Sequence, residues 1–360
     1  MKATPSDAEH RKVAGMRARE LGIEVGDLPP GPFNAISDVP GVTVGQTTLI
    51  EGESVRTGVT VVLPHTGSMG ADPLFAGCHR INGNGELTGL EWVRESGMLG
   101  SPIAITNTFS VGAVRDALCS TGRTGGLPVV GETWDGDLND IHGMHVTSDH
   151  LHSALTSAAS GPVLEGNVGG GTGMICHEFK GGIGTSSRLV EHADCVVGVL
   201  VQANHGRRSR FRVTGLPVGE RLTEERVPLP TSERTWPPSS SIIIVVATDA
   251  PLLPHQCDRL AARTAFGIAR TGGVGENSSG DLAIAFATGN RGLLEDSPSI
   301  SLAMLSDELI NHLFDAVIDA TEEAIVNAVV GAETMTGHRG ATATALEGHV
   351  LQEALAELRP

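Results

Sequence analysis

Three consecutive serines stand immediately before a run of apolar residues, in the stretch Pro237–Leu252 (PPSSSIIIVVATDAPL). The run Ile242–Ala247 is uniformly aliphatic, which is typical of a strand that is covered on both faces. Ser241 is therefore predicted to lie at the mouth of a rigid, buried element, where a reacting hydroxyl would have a fixed direction. The alternative interpretation is that the serines only end a polar loop.

A serine nucleophile needs a base, and the nearest histidine in sequence, His255, falls inside the helix predicted to follow the strand. If the chain were cut before Ser241, however, the new α-amine would lie next to the serine hydroxyl and would titrate at roughly 7.7–8.0. Enzymes with an N-terminal nucleophile use this arrangement. Segment 206–240 is charged, proline-punctuated and without a sustained period, so it is predicted to be an exposed linker that lets the chain open there.

Three further polar residues are predicted at the ends of buried strands. Asn204 follows one such strand, and Ser279 and Asp281 stand just before another, in the stretch GENSSGD. A polar side chain at a strand end emerges at the edge of a sheet, where it can take part in chemistry. These three residues therefore join Ser241 as candidate site residues.

A metal site is the competing interpretation. Four histidines and one aspartate fall close together in the sequence: His142, His145, His150, His152 and Asp140. Imidazole suits Zn²⁺ and its neighbours. The spacing matches no standard ligand motif, however, and side chains at i and i+2 of a helix diverge. No metal is therefore expected.

Known cofactor and hydrolase motifs are absent. The glycine-rich stretch Gly166–Gly173 fits neither the P-loop pattern nor the dinucleotide fingerprint, although its backbone N–H groups could form an anion-binding nest. The serine-hydrolase elbow GxSxG does not occur. Ser186 and Ser187 are interpreted as a polar turn with a structural role. No organic cofactor is expected.

Strands and helices alternate without regular βαβ units, which predicts α/β or α+β layers in one domain spanning 1–360. Gly67–Gly89 is predicted to be a loop. Other predicted elements include strands Arg56–Pro64, Ile103–Thr106, Leu127–Val130, Cys195–Ala203 and Leu282–Ala287, and helices Val111–Ser120, Leu252–Arg270 and Ala341–Leu358.

The composition limits the classes of partner. A formal charge of −17 argues against general binding to nucleic acid or to anionic membranes. The five cysteines are widely spaced and contain no CxxC pair, which is typical of buried thiols in a reducing compartment. The apolar runs are too short to span a membrane, and residues 1–30 carry charges throughout. A cytoplasmic location is expected.

Seven blocks of the sequence, in order, resemble the DmpA/BapA family of L-aminopeptidase/D-esterase and β-aminopeptidase enzymes, also called P1 family peptidases. The likeness extends from about Asn34 to about His349. The blocks are NAISDVPGVTVGQTT (Asn34–Thr48), VRTGVTVVLP (Val55–Pro64), HRINGNGELTGL (His79–Leu90), HEFKGGIGTSSR (His177–Arg188), VLVQANHG (Val199–Gly206), SIIIVVATDAPL (Ser241–Leu252) and SSGDLAIAFATGN (Ser278–Asn290).

The resemblance implies an α+β fold, an αββα four-layer sandwich similar to the N-terminal nucleophile (Ntn) hydrolases and shared with ornithine acetyltransferase. It also implies self-cleavage into an α chain, 1–240, and a β chain, 241–360, assembled as a homotetramer of αβ heterodimers. The implied activity is hydrolysis of the amide or ester bond after the N-terminal amino acid of small peptides, amides and esters. The alternatives are an acyltransferase of the ornithine acetyltransferase type and an unprocessed, non-catalytic homologue.

The resemblance also implies a role for each candidate residue. Ser241 corresponds to the nucleophile and Asn204 to the side-chain oxyanion donor. Ser279 and Asp281 correspond to the pair that orients the α-amine and shuttles its proton. Glu132, in GETWDG, corresponds to the anchor for the amino group of the substrate.

The sequence departs from the family pattern at two positions. The residue before the scissile bond is usually glycine, which permits the strained backbone that favours an N→O acyl shift, whereas here it is Ser240. Some members carry a tyrosine two residues after the glutamate. Here that substrate-binding position is Trp134, whose indole N–H can donate but cannot titrate near neutral pH.

Overall fold

The computed structural model describes residues 16–231 and 240–359. Its strands are β1 (Thr43–Glu51), β2 (Val55–Leu63), β3 (Leu74–Gly83), β4 (Met98–Leu99), β5 (Ile103–Asn107), β6 (Val129–Thr133), β7 (Ile175–Cys176), β8 (Phe179–Lys180), β9 (Gly182–Val190), β10 (Cys195–Asn204), β11 (Ser240–Thr248), β12 (Ser279–Ala287), β13 (Met335–Thr336) and β14 (Thr342–Ala343). Its α-helices are α1 (Leu90–Ser96), α2 (Val111–Ser120), α3 (Ser148–Ser157), α4 (Pro254–Arg270), α5 (Ile310–Val330) and α6 (Gly348–Leu358).

Two sheets face one another across an aliphatic core. The smaller sheet has the strand order β1-β2-β5-β6, and the larger has the order β4-β3-β12-β11-β10-β9. Helices α2 and α3 cover the outer face of the smaller sheet, and α4 and α5 cover the outer face of the larger one. The layers therefore follow the predicted order of helix, sheet, sheet, helix.

Strand β11 is the central element of the larger sheet, and all nine of its residues are buried. Ile242 and Ile244 belong to the core under the helices, whereas Ile243 and Val245 belong to the core between the sheets. Because successive side chains of a strand point to opposite faces, a strand covered on both sides must be apolar throughout. The predicted buried strand is confirmed.

Strand β3 corrects the interpretation of Gly67–Gly89 as a loop. Residues Leu74–Gly83 pair antiparallel with β12 and form part of the larger sheet. The second half of this strand (HRING) is polar and only partly buried, so it lacks the aliphatic pattern on which the sequence prediction depended. Pairing with β12 stabilises it instead.

The interpretation of Ser186 and Ser187 as a turn is also wrong. Both serines lie in strand β9 and are fully buried. The Ser186 hydroxyl donates to Asn34 Oδ1 at 2.9 Å, and the Ser187 hydroxyl donates to Asp38 Oδ2 at 2.6 Å. Buried hydroxyls are tolerated in a strand when partners from outside the sheet satisfy them.

The predicted exposed linker 206–240 is only partly exposed, because residues 206–231 pack onto the helix-side core of the larger sheet. Phe211, Val213, Val218 and Leu222 are fully buried there. The apolar residues of this segment follow no regular spacing, because short turns rather than a helix or a strand direct them into the core. Residues 232–239 lie outside the described part of the chain.

Candidate active site

The register of β11 determines which candidate residues meet. Ser241 is directly opposite Asn204 of the antiparallel neighbour β10, and side chains of directly opposed residues share one face of a sheet. On the other side, Ser240 is opposite Ser279 of the parallel neighbour β12. By strand alternation, Ser241 shares the face of Ile243, toward the second sheet, and Ser240 shares the face of Ile242, toward the helices.

A cavity of about 440 Å³ opens at this edge of the sheets. It is lined by residues from the ends of β3, β6 and β11 and from the adjoining loops: Gly83, Asn84, Gly85, Glu86, Thr108, Glu132, Trp134, Ser240, Ser241 and Ser278. Four of the predicted site residues, Ser240, Ser241, Glu132 and Trp134, therefore share one cavity. Its volume is sufficient for an amino acid derivative or a short peptide.

The nucleophile candidate is buried but accessible from this cavity. The backbone N–H of Trp134 donates to Ser241 Oγ at 3.4 Å. A backbone donor this near the attacking oxygen is a candidate for the oxyanion hole, whose donors must reach the oxygen that becomes charged in the transition state. The sequence pointed to the Trp134 side chain and did not predict this backbone contact.

A hydrogen bond from the backbone helps to orient the Asn204 amide. The backbone N–H of Ile175 donates to Asn204 Oδ1 at 2.8 Å. Because the oxygen is the acceptor in this bond, Nδ2 is the donor atom of the Asn204 side chain. The oxyanion-donor role that the resemblance implied stays a prediction.

Glu132 is a buried carboxyl group that lines the cavity. The backbone N–H of Glu86 donates to Glu132 Oε1 at 2.9 Å, and the Thr108 hydroxyl donates to Glu132 Oε2. Burial raises the pKa of Glu132, and the two hydrogen bonds oppose this rise. A substrate ammonium group would compensate the buried negative charge, which suits an amine anchor.

Ser279 and Asp281 form a buried pair on the opposite face from the Ser241 hydroxyl. Ser279 Oγ lies 2.5 Å from Asp281 Oδ1 and 3.2 Å from Ser240 Oγ. Burial raises the pKa of Asp281 to about 6, although the Ser279 hydrogen bond lowers it. In the continuous chain the pair therefore contacts the residue before the predicted scissile bond.

The profile of Peptidase family S58 matches residues 34–343 of the 360-residue chain. The chain belongs to peptidase family S58. It is 46% identical to the β-peptidyl aminopeptidase BapA of Sphingosinicella microcystinivorans, over 96% of this chain and 93% of that protein. It is 44% identical to the BapA of Sphingosinicella xenopeptidilytica, over 93% of this chain and 90% of that protein.

Solved structures of similar proteins agree with this assignment. A β-aminopeptidase from Burkholderia sp. superposes with a TM-score of 0.89 at 51% identity, covering 96% of this chain and all of that chain. The L-aminopeptidase/D-Ala-esterase/amidase of Ochrobactrum anthropi, described as a variant of the Ntn hydrolase fold, has a TM-score of 0.86 at 42% identity, covering 95% and 98% of the two chains. The predicted family, the Ntn-type sandwich and the aminopeptidase class are thereby confirmed, and the acyltransferase alternative is not favoured.

Several cavity residues of this S58 protein were missed from the sequence. Asn84, Glu86 and Thr108 line the cavity, and the first two fall in the block HRINGNGELTGL, whose glycines and asparagines predict only a loop. Gly280 explains how this block reaches the site, because a Cβ there would lie 2.5 Å from the Asn84 backbone oxygen. Only glycine allows β12 to pass so close to the loop that forms the cavity wall.

In the part of the chain that the structure describes, the histidines of segment 142–152 are not among the metal-ligating side chains that converge on one point. His145 Nε2 lies 3.3 Å from Asp140 Oδ2, His150 Nδ1 accepts from the Thr147 amide, and His152 Nδ1 lies 2.8 Å from the Ser148 backbone oxygen. Each of these rings thus has its own local partner. Within ranges 16–231 and 240–359, the metal-ligating side chains that converge are a different group, Cys176, His177 and His205.

Asp281 is expected to make stability depend on pH. Its pKa is about 6 in the folded protein against an ordinary value of 3.8, so the folded state holds this proton more tightly than the unfolded state. Stability is therefore lost as pH rises from about 4 to about 6, by on the order of 2–3 kcal/mol. Asp281→Asn retains an oxygen acceptor for Ser279 and removes this loss.

The measurement is urea unfolding at pH 4 and pH 7.5, with Asp281→Asn made in a Ser241→Ala chain so that both proteins have the same covalent structure. The variant is expected to equal its parent at pH 4 and to be more stable at pH 7.5. A stability difference that is the same at both pH values would contradict the raised pKa of Asp281.

Proposed function

We propose that this aminopeptidase is a self-processing N-terminal-serine hydrolase that removes the N-terminal residue from small peptides, amino acid amides and esters. The observation that carries the proposal is the register of β10 and β11, which sets Ser241 opposite Asn204 at a cavity that also contains Glu132. These residues supply a nucleophile, an oxyanion donor and an amine anchor. No metal or organic cofactor has a step in this mechanism.

Self-cleavage comes first. The Ser241 hydroxyl attacks the Ser240 carbonyl carbon, the C–N bond between the two residues breaks, and the nitrogen leaves as the α-amine of Ser241. The resulting ester is hydrolysed by water, which leaves Ser240 as a carboxylate. Ser279, which contacts Ser240 in the continuous chain, and its partner Asp281 would hold the new amine and carry its proton.

In turnover, the α-amine of Ser241 accepts the proton of its own hydroxyl as the oxygen attacks the substrate carbonyl. Asn204 Nδ2 and the backbone N–H of Trp134 donate to the developing oxyanion. The ammonium group then protonates the leaving amine or alcohol, and water hydrolyses the acyl-enzyme by the same route in reverse. Glu132 pairs with the substrate ammonium group throughout.

Processing is tested by mass spectrometry of the intact purified protein. The expected result is two polypeptides, residues 1–240 and 241–360, the second beginning Ser-Ile-Ile-Ile-Val. Storage of freshly made protein should convert the precursor into these two species together. A single chain of 360 residues that nevertheless hydrolyses peptides would contradict the N-terminal nucleophile.

Glu132→Gln is expected to raise KM for amino acid p-nitroanilides by about tenfold to a hundredfold, the value of a hydrogen bond to a charged group. The anchoring carboxylate must be ionised, and burial raises the pKa of Glu132. In both proteins kcat/KM should fall on acidification as the Ser241 α-amine, the general base, becomes protonated. The parent should show a second fall, at a pH above that of an ordinary glutamate, and Glu132→Gln should lack this second fall.

Glu86→Gln is the matched control, because Glu86 lines the same cavity but is exposed. Screening by water should limit its effect on KM to a few-fold. Equal effects of the two substitutions would show that the cavity attracts the substrate only by its overall negative charge. That result would contradict a specific anchor.

We further propose a cytoplasmic homotetramer of αβ heterodimers that acts on small molecules rather than on nucleic acid or membranes. All five cysteines are free, which suits a reducing compartment. Within the described residues, every helix is too short or too polar to cross a membrane. The tetramer is supported by the resemblance to the DmpA/BapA family, and light scattering of the processed protein tests it.

A further inference from the structure

Three metal-ligating side chains lie near the candidate active site and have no part in the proposed reaction. Strands β7 and β8 form a hairpin whose first strand ends with Cys176 and whose tip carries His177. His205 directly follows β10. One potential ligand atom from each of the three residues lies within 4.8 Å of the other two.

The three side chains are buried and incompletely satisfied. Cys176 Sγ lies 3.8 Å from His205 Nδ1. The Nε2 atoms of His177 and His205 are both buried and have no hydrogen-bond partner. A buried polar atom without a partner costs about 1–3 kcal/mol, so two on neighbouring rings call for an explanation. A bound metal ion would supply one.

The backbone around the cluster is shaped to hold His177 in place. His177 and Glu178 have φ values of +50° and +62°, in the left-handed region that residues other than glycine seldom adopt. Gly206 faces the imidazole, and a Cβ there would lie 2.4 Å from the ring. The hairpin therefore approaches the end of β10 as closely as it does only because residue 206 is glycine.

We propose that Cys176, His177 and His205 bind one soft transition-metal ion, Cu⁺ or Zn²⁺. Thiolate and imidazole together are the ligand set that these two ions prefer. On binding, the S–H bond of Cys176 breaks, sulfur keeps the electron pair for the metal, and the proton leaves to solvent. Binding is therefore weaker at low pH.

The charge balance favours Cu⁺ of the two ions. One thiolate and two neutral imidazoles neutralise Cu⁺ completely, whereas Zn²⁺ leaves one positive charge in a buried place. A net positive charge is disfavoured there because all three ligands are buried. The buried amine of Lys180, which belongs to the same hairpin, donates to the backbone oxygens of Met174 and Gly181 at 2.8 Å each, and a positive charge nearby would oppose its protonation. Zn²⁺ would need a hydroxide as a fourth ligand to reach neutrality.

The site would join two elements that position the oxyanion donor. The backbone N–H of His177 donates to the His205 backbone oxygen at 2.7 Å. The backbone N–H of Ile175 donates to Asn204 Oδ1. A metal ion between the hairpin and the end of β10 adds a third link between them. Metal binding is therefore expected to raise the melting temperature.

The test uses untagged full-length protein, stripped of metal and then loaded in separate samples with Zn²⁺ or, under anaerobic conditions, with Cu⁺. After gel filtration, elemental analysis should find about one equivalent of metal per chain. Cys176→Ser and His205→Gln should lower this at least tenfold. Cys257→Ser, at a buried thiol in α4, and Cys119→Ser, at an exposed thiol, are the matched controls and should retain the metal.

Circular dichroism verifies that each variant is folded. If Cys176→Ser does not fold, His205→Gln replaces it as the ligand variant. Binding of either Cu⁺ or Zn²⁺ with this dependence on Cys176 supports the proposal and identifies the preferred ion. Parent protein that, after loading with Cu⁺ and with Zn²⁺, retains no more metal than Cys176→Ser or His205→Gln would overturn it.

Discussion

Replacing Ser241 with alanine is expected to leave one uncut chain that has lost aminopeptidase activity. The proposed mechanism uses this hydroxyl twice, first against the Ser240 carbonyl and then against the substrate, and the base is the amine that the first step releases. Loss of a serine nucleophile typically lowers kcat by about 10⁴-fold or more. Denaturing electrophoresis reports the processing, and p-nitroanilide hydrolysis reports the turnover.

Ser240→Ala is the matched control, since it removes a hydroxyl one residue away and leaves the scissile carbonyl in place. Ser240 lies on the face toward the helices, where it contacts Ser279. The variant should still be cleaved before Ser241 and should turn over substrate. If Ser241→Ala hydrolysed p-nitroanilides at the parental rate, another residue would have to be the nucleophile.

Asn204→Ala should reduce kcat by about a hundredfold to a thousandfold, the usual effect of losing one oxyanion donor. The KM should change much less, because the donor acts on charge that develops only in the transition state. Alanine also removes the acceptor for the Ile175 N–H, so some stability is lost as well. Steady-state kinetics and thermal unfolding are measured on the same preparations.

Asn204→Asp separates the two roles of this side chain. It keeps an oxygen to accept from Ile175 but has no N–H to donate, so it should be as slow as Asn204→Ala while recovering stability. An Asn204→Asp protein with near-parental kcat would exclude Asn204 as the oxyanion donor and would leave the Trp134 backbone N–H as the remaining candidate on this side.

The chain's own residues were enough to locate the central strand and its reactive end. Uniform burial requires uniform apolarity, so the run Ile242–Ala247 predicted a doubly covered strand, and a serine at its mouth predicted a candidate nucleophile. The resemblance then predicted the family, the layered fold and the aminopeptidase class, which are confirmed. The roles of Ser241, Asn204, Ser279 and Asp281 remain predictions that the geometry supports.

Only the tertiary structure decided how these residues face one another. Alternation along β11 places Ser240 and Ser241 on opposite faces, but which face meets a cavity depends on the sheet and the helices packed against it. Strand β3, whose polar half has no aliphatic pattern, and segment 206–231, whose apolar residues follow no period, are stabilised by contacts with distant parts of the chain. The grouping of Cys176 with His205 has the same origin, since adjacent strands bring together residues that no local sequence pattern relates.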